Sequence, residues 1–113
     1  MDILPALSDV LEQRKRGNPN ESYVASLYAA GTNKILEKVG EEAAEVIIAA
    51  KDASLPAADS SARDALVGEV ADLWFHTMVL LGHLDLSISD VEAVLAERFG
   101  LGGLAEKASR DKS

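Results

Sequence analysis

Apolar residues recur every three or four positions along most of this chain, the spacing that gathers them on one face of an α-helix. Ile3, Leu4, Leu7, Val10 and Leu11 follow it and predict a first helix from about Asp2 to Lys15. Pro5 is tolerated in its first turn, Arg14, Lys15 and Arg16 suit its C-terminal dipole, and Gly17-Asn18-Pro19 stops it. A short helical segment from about Ser22 to Ala30 ends at Gly31. Thr32 or Asn33 is placed to cap a third helix that runs to about Asp52. Ser54 to Ser61, with Pro56 and small polar residues, reads as a loop. A fourth and most apolar helix runs from about Ala62 to Leu84, and Ser87 or Ser89 opens a last one through about Phe99. Gly100, Gly102 and Gly103 then break regularity, and the charged tail from Lys107 to Ser113 is expected to fray. No segment reads as a strand, and no repeat or linker divides the chain. The expectation is one all-α domain over residues 1–113, a four-helix-type bundle with about five helices.

Composition narrows the class. Hydrophobic residues make up 48% of the 113, yet aromatics only 4%, so the core is aliphatic and Ala-rich, which favours closely packed helices over a sheet. The absence of cysteine excludes disulfides, zinc–thiolate sites and thiol nucleophiles. The N-terminus has neither a basic region nor a long apolar run, and no uncharged apolar stretch approaches about 20 residues, so neither a signal peptide nor a membrane span is expected. These features point to a cytoplasmic protein. The net charge of −8 argues against binding a nucleic-acid backbone. An acidic protein still binds a phosphorylated small molecule when a metal supplies the positive charge. Neither a Ser/His/Asp triad nor a phosphate-cradling G-x-x-x-x-G-K-[ST] loop is evident.

Two acidic clusters carry the candidate chemistry. The first is Lys38-Val39-Gly40-Glu41-Glu42-Ala43-Ala44-Glu45, and the second is Glu69-Val70-Ala71-Asp72. Glu41, Glu42 and Glu45 fall on one side of the third helix, and Glu69 and Asp72 on one side of the fourth. If these sides oppose each other, like charges repel and lose hydration unless a cation lies between them. Carboxylate ligation suits a hard ion, Mg²⁺ or Mn²⁺. The plainer alternative is a solvated acidic face, the usual fate of a single E-x-x-E. Against it stand the apolar surroundings of both clusters and their repeated i, i+3 spacing on neighbouring helices.

At roughly 100° per residue, Lys34, Lys38, Glu41, Glu42 and Glu45 fall within about one third of the third helix's circumference. Ile35, Val39, Ala43, Val46, Ile47 and Ala50 fill an adjoining apolar arc. Lys34 and Lys38 either contact substrate phosphates or form simple surface ion pairs, for instance Lys38 with Glu42. His76 and His83 share the acidic face of the fourth helix. A single His on an apolar helix is more often a hydrogen-bonded packing residue than a ligand, so His76 stands as substrate contact or packing. Trp74 and Phe75 lie off this face and read as core or dimer contacts.

Lys38 to Val46, followed by Glu69-Val70-Ala71-Asp72-Leu73-Trp74-Phe75-His76, resembles the phosphoribosyl-ATP pyrophosphatase family. This family sits in the all-α nucleotide pyrophosphohydrolase superfamily that includes MazG and the dimeric dUTPases. The superfamily pattern E-E-x-x-E, a gap, then E-x-x-D is matched at every acidic position. Ser22-Tyr23, the segment Leu27 to Gly31 and Lys34-Ile35 also look like the family, and the similarity covers roughly Leu4 to Phe99. Trp74-Phe75 departs from the Leu-Tyr more common there, a matter of packing.

The resemblance implies a MazG-like bundle that dimerises and cuts phosphoribosyl-ATP between its α- and β-phosphates. The products would be phosphoribosyl-AMP and pyrophosphate, in the second step of histidine biosynthesis. It implies that Glu42, Glu45, Glu69 and Asp72 hold Mg²⁺, or Mn²⁺, bridging phosphate oxygens. Glu41 would orient or deprotonate the attacking water, and Lys34 and Lys38 would stabilise charge on the leaving pyrophosphate. Two alternatives stay open at this point: a MazG-type (d)NTP pyrophosphohydrolase, and a non-enzymatic helical dimer module.

Overall fold

The computed structural model describes residues 2–101, and within them the chain forms five helices and no strand. Gly102, Gly103 and the tail from Lys107, expected to be irregular, lie outside the described residues. Helix α1 spans Ile3–Arg14 and buries Leu11. The Nζ of Lys15, just past its end, pairs with Glu12 at 2.9 Å and with Asp85 at 3.2 Å, which ties the end of α1 to the residues that follow α4. Helix α2 (Tyr23–Ala30) opens at Ser22, whose hydroxyl accepts from the Ala25 amide, and buries Ala25 and Leu27.

Helix α3 (Thr32–Ala53) follows after a single residue. The cap expected at Thr32 or Asn33 is instead Gly31, with φ of 94°. Only glycine adopts that angle without strain, and it redirects the chain from one helix straight into the next. Thr32 is thereby released from capping, and its hydroxyl meets His83 Nε2 at 3.1 Å. Helix α4 (Ser60–His83) starts two residues before the expected Ala62, because the Asp59 carboxylate accepts from the Ala62 amide and caps it. Of the two serines that could open helix α5 (Ile88–Phe99), Ser87 does so, its amide donating to Asp90 at 2.9 Å. Gly100, in the left-handed region at φ 64°, ends it.

Helices α3 and α4 form a long antiparallel pair joined by residues 54–59. At one end of this pair α1 and α2 pack across it, and there the core forms from Leu11, Leu27, Ile35, Met78 and Val79. Phe75 packs against this core while Trp74, expected to be equivalent, stays exposed. The other end is left open. Ile47, assigned by the helical wheel to a core-facing arc, is exposed there with Ile48 and Val67, because among the described residues no third helix covers that stretch. Among the described residues α4 is long and apolar enough, by length and composition, to cross a membrane. It packs along α3 and carries Glu69 and Asp72 at mid-length, which in hydrocarbon would be costly.

Candidate metal centre

The carboxylates lie where the covered and open ends of the α3–α4 pair meet. Glu42 from α3 and Glu69 and Asp72 from α4 converge, each offering an oxygen within 4.8 Å of the others. Their helices place them so because residues three apart on α4 share a face, and antiparallel pairing sets Glu42 level with Asp72. Glu42 is only 7% exposed. The Oε2 atoms of Glu42 and Glu69 are buried without any hydrogen-bond partner. Glu45 stands beside this triangle, close enough for its carboxyl to act on both Glu42 and Glu69.

The electrostatics follow from this crowding. Burial pushes the Glu42 carboxyl above its ordinary value, Glu45 and Asp72 push it further, and His76 opposes them. Contact with Glu45 pushes Glu69 up first, followed by burial and by the charges of Glu45, Asp72 and Glu42. Four carboxyl groups with two orphaned buried oxygens are a set that protein groups leave unsatisfied. A hard divalent cation fits it by charge and by donor chemistry.

The residues beside the cluster divide differently. Glu41, next to Glu42 in sequence, turns toward solvent and pairs with Lys38 at 3.1 Å. The surface pair considered for Lys38 is therefore with Glu41 and not with Glu42, because Glu42 is rotated into the α3–α4 contact. Lys38 holds the Glu41 carboxyl below the usual carboxylate range, and that contact in turn raises Lys38. Lys34 is exposed and lies 3.6 Å from Glu37. Thus Glu42, Glu45, Glu69 and Asp72 come together, while Glu41, Lys38 and Lys34 form a charged margin on the side toward the start of α3.

His76 is buried behind the cluster with both ring nitrogens engaged. Its Nδ1–H donates to the Asp72 carbonyl at 2.8 Å, which leaves Nε2 to accept from the Tyr23 hydroxyl at 2.8 Å. Glu42 Oε1 is 3.9 Å from Nδ1. Phe75 and Tyr23 meet the ring edge-on. These partners make His76 a packed hydrogen-bonding residue. His83, on the same stripe, is drawn away to Thr32 and stacks on Tyr28. Tyr23 is the residue that pattern reasoning gave no role. It joins α2 to the backbone of Asp72 through His76, and no periodicity within α2 could have revealed a partner 53 residues away.

The profile of the family described as phosphoribosyl-ATP pyrophosphohydrolase matches residues 4–99. A phosphoribosyl-ATP pyrophosphatase of Hydrogenovibrio crunogenus is 54% identical over 112 residues, covering 99% of this chain and 96% of that protein. One from Ralstonia pickettii is also 54% identical, over 96% of this chain and 90% of its own length. One from Burkholderia cenocepacia is 51% identical, over 98% and 88%. With the acidic positions of both clusters inside the matched region, the chain belongs to the phosphoribosyl-ATP pyrophosphohydrolase family.

Proposed function

We propose that this chain hydrolyses phosphoribosyl-ATP to phosphoribosyl-AMP and pyrophosphate, the second step of histidine biosynthesis. The observation that carries the reading is the carboxylate cluster, whose orphaned oxygens on Glu42 and Glu69 call for a cation, in a chain of this family. Relatives named for this activity support it over a general (d)NTP pyrophosphohydrolase and over a non-enzymatic helical module.

Glu42, Glu45, Glu69 and Asp72 would hold Mg²⁺, with Mn²⁺ as a substitute. The metal supplies charge neutralisation at the phosphates and activates the attacking water. Lys38 and Lys34, at the cluster's margin, bind the leaving pyrophosphate and stabilise its charge. Glu41, paired with Lys38, stands at the cluster's solvent margin. Its pairing with Lys38 weakens it as a base, so its role is to orient the water more than to take its proton. His76 holds Asp72 in place from behind and takes no part in proton transfer.

The protein acts as a homodimer in the cytoplasm, with a phosphorylated nucleotide as its small-molecule partner and with no role for nucleic acid or membrane. Support for the dimer comes from apolar side chains left uncovered on the α3–α4 pair, with Val67 68%, Ile47 66% and Trp74 55% exposed. The test is pyrophosphate release from phosphoribosyl-ATP with and without Mg²⁺, beside the common dNTPs. Metal-dependent turnover that favours phosphoribosyl-ATP is expected. No turnover with Mg²⁺, or a preference for dNTPs, overturns the reading.

A further inference from the structure

Lys38 stands one turn before Glu42 on α3, and His76 one turn after Asp72 on α4. The antiparallel pairing that levels Glu42 with Asp72 therefore levels Lys38 with His76 as well. Helix α2 packs against both helices and brings Tyr23 to this level. The phenol is fixed on two sides. Its ring stacks on Phe75, with 6.4 Å between centroids, and its oxygen lies 2.8 Å from His76 Nε2. The direction of that bond is set from behind. The Asp72 carbonyl only accepts, so His76 Nδ1 carries the ring proton and Nε2 takes the proton of the Tyr23 hydroxyl. A hydroxyl has one proton to give. Tyr23 thus has none left for a phosphate, and its oxygen faces the groove as an acceptor.

The cation at that level is Lys38. Its side chain is 25% exposed, against 49% for Lys34 one turn earlier. Glu41 draws the ammonium at 3.1 Å and raises its pKa most, and Tyr23 comes next. We infer that Tyr23 is a positioning residue for Lys38: its hydroxyl, oriented by His76, offers an oxygen to the ammonium and keeps that cation where the leaving pyrophosphate meets the metal. The inference rests on the phosphohydrolase reading of the cluster. Glu41 sits on the same helix as Lys38, one turn away on the solvent side, and would by itself draw the lysine outward. Tyr23 adds an uncharged acceptor from a different helix, which orients the ammonium without neutralising it. The lysine then keeps its charge for the phosphate, and its ordering is complete before the ligand arrives.

The test is the binding of magnesium pyrophosphate, by calorimetry, to four proteins: unsubstituted, Tyr23→Phe, Lys38→Ala and the double variant. Tyr23→Phe keeps the ring and its stack on Phe75 and loses only the oxygen, and melting curves confirm that each variant is folded. Tyr23→Phe should weaken binding by about fivefold, the scale of ordering one long side chain. Lys38→Ala should weaken it by about tenfold. The double variant should bind no more weakly than Lys38→Ala, since the hydroxyl then has no ammonium to place. A tyrosine that only props His76 would weaken binding by the same factor with or without Lys38. That result overturns the inference, as does full-strength binding by folded Tyr23→Phe or no binding by the unsubstituted protein. If the four affinities follow the expected pattern while phosphoribosyl-ATP goes unhydrolysed, the hydrolase reading fails and the placement of Lys38 by Tyr23 stands.

Discussion

The two ends of the α3–α4 pair are built from the same helices and treated in opposite ways. At the covered end Ile35 and Val79 are fully enclosed, with Leu11, Leu27 and Met78 packed around them. At the open end Ile47, Ile48 and Val67 face outward, and the carboxylates at the boundary keep two oxygens without partners. The covered end satisfies itself within one chain. Among the described residues, nothing satisfies the charge and apolar surface of the open end. Sites that are poorly satisfied alone are where binding free energy becomes available, and the covered end supplies the rigidity that lets the open end remain so.

The strongest way to break this contrast is to remove a carboxylate. Glu45→Ala or Asp72→Ala should lower turnover by about 1000-fold or more, since the cation would lose a ligand. The metal-free variant should melt at the same temperature or higher, because a crowded like charge is gone. Pyrophosphate release and a melting curve on one preparation measure both. If Glu45→Ala keeps most of its turnover, the open end is not a metal centre.

Next in size is Lys38→Ala, for which a loss of about 10- to 100-fold in turnover is expected, with Mn²⁺ affinity retained. If Lys38 only pairs with Glu41 at the surface, its loss costs a few tenths of a kcal/mol, roughly, and no activity. Turnover and Mn²⁺ binding in the same variant separate the two.

Melting curves sharpen the comparison further. Mg²⁺ at about 100 times its Kd should stabilise the fold by about 2.7 kcal/mol, and Mn²⁺ by more at equal concentration. Without metal, the sign of the pH dependence is distinctive. Glu42 and Glu69 have folded values raised above the ordinary 4.5, so the folded chain takes up protons first and gains stability as pH falls from neutral toward 4.5. Glu41 and Asp59, whose values are lowered, withdraw their stabilisation only at still lower pH. With Mg²⁺ bound the first trend should invert, since protons then compete with the ion. Identical profiles with and without Mg²⁺ would argue against a cation at the cluster.

The smallest effect belongs to the covered side. Tyr23→Phe deletes the 2.8 Å hydrogen bond to His76 and should cost about 1 kcal/mol of stability. Mg²⁺ stabilisation should survive it, because the Asp72 carbonyl still holds His76 through Nδ1. Loss of the Mg²⁺ effect in this variant would mean that the two regions are not separable.

Much of this architecture could be read along the chain. All five helices were legible, since a helix is a local period and Asp59, Ser87 and the glycines are local signals. The acidic pattern was legible for the same reason: i, i+3 spacing puts Glu69 and Asp72 side by side on any helix. The starts of α3 and α4 differ from the local expectation because Gly31 and Asp59 compete with equally plausible neighbours, and the path of the chain decides among them. Lys38 pairs with Glu41 and not with Glu42 for a related reason. On a helical wheel Glu41 and Glu42 are equally within its reach, and only the rotation of α3 against α4 turns Glu42 inward and leaves Glu41 outside.

The sequence by itself thus determined the helices, the two acidic faces and the family, because these depend on residue type and on spacing over a few positions. The tertiary structure alone decided which carboxylates meet, that Tyr23 anchors His76, and that Ile47 stays uncovered. Each of these depends on how far helices distant in sequence are rotated and slid against one another. Those displacements are set by the packing of the whole core around Ile35 and Val79, and no local period encodes them.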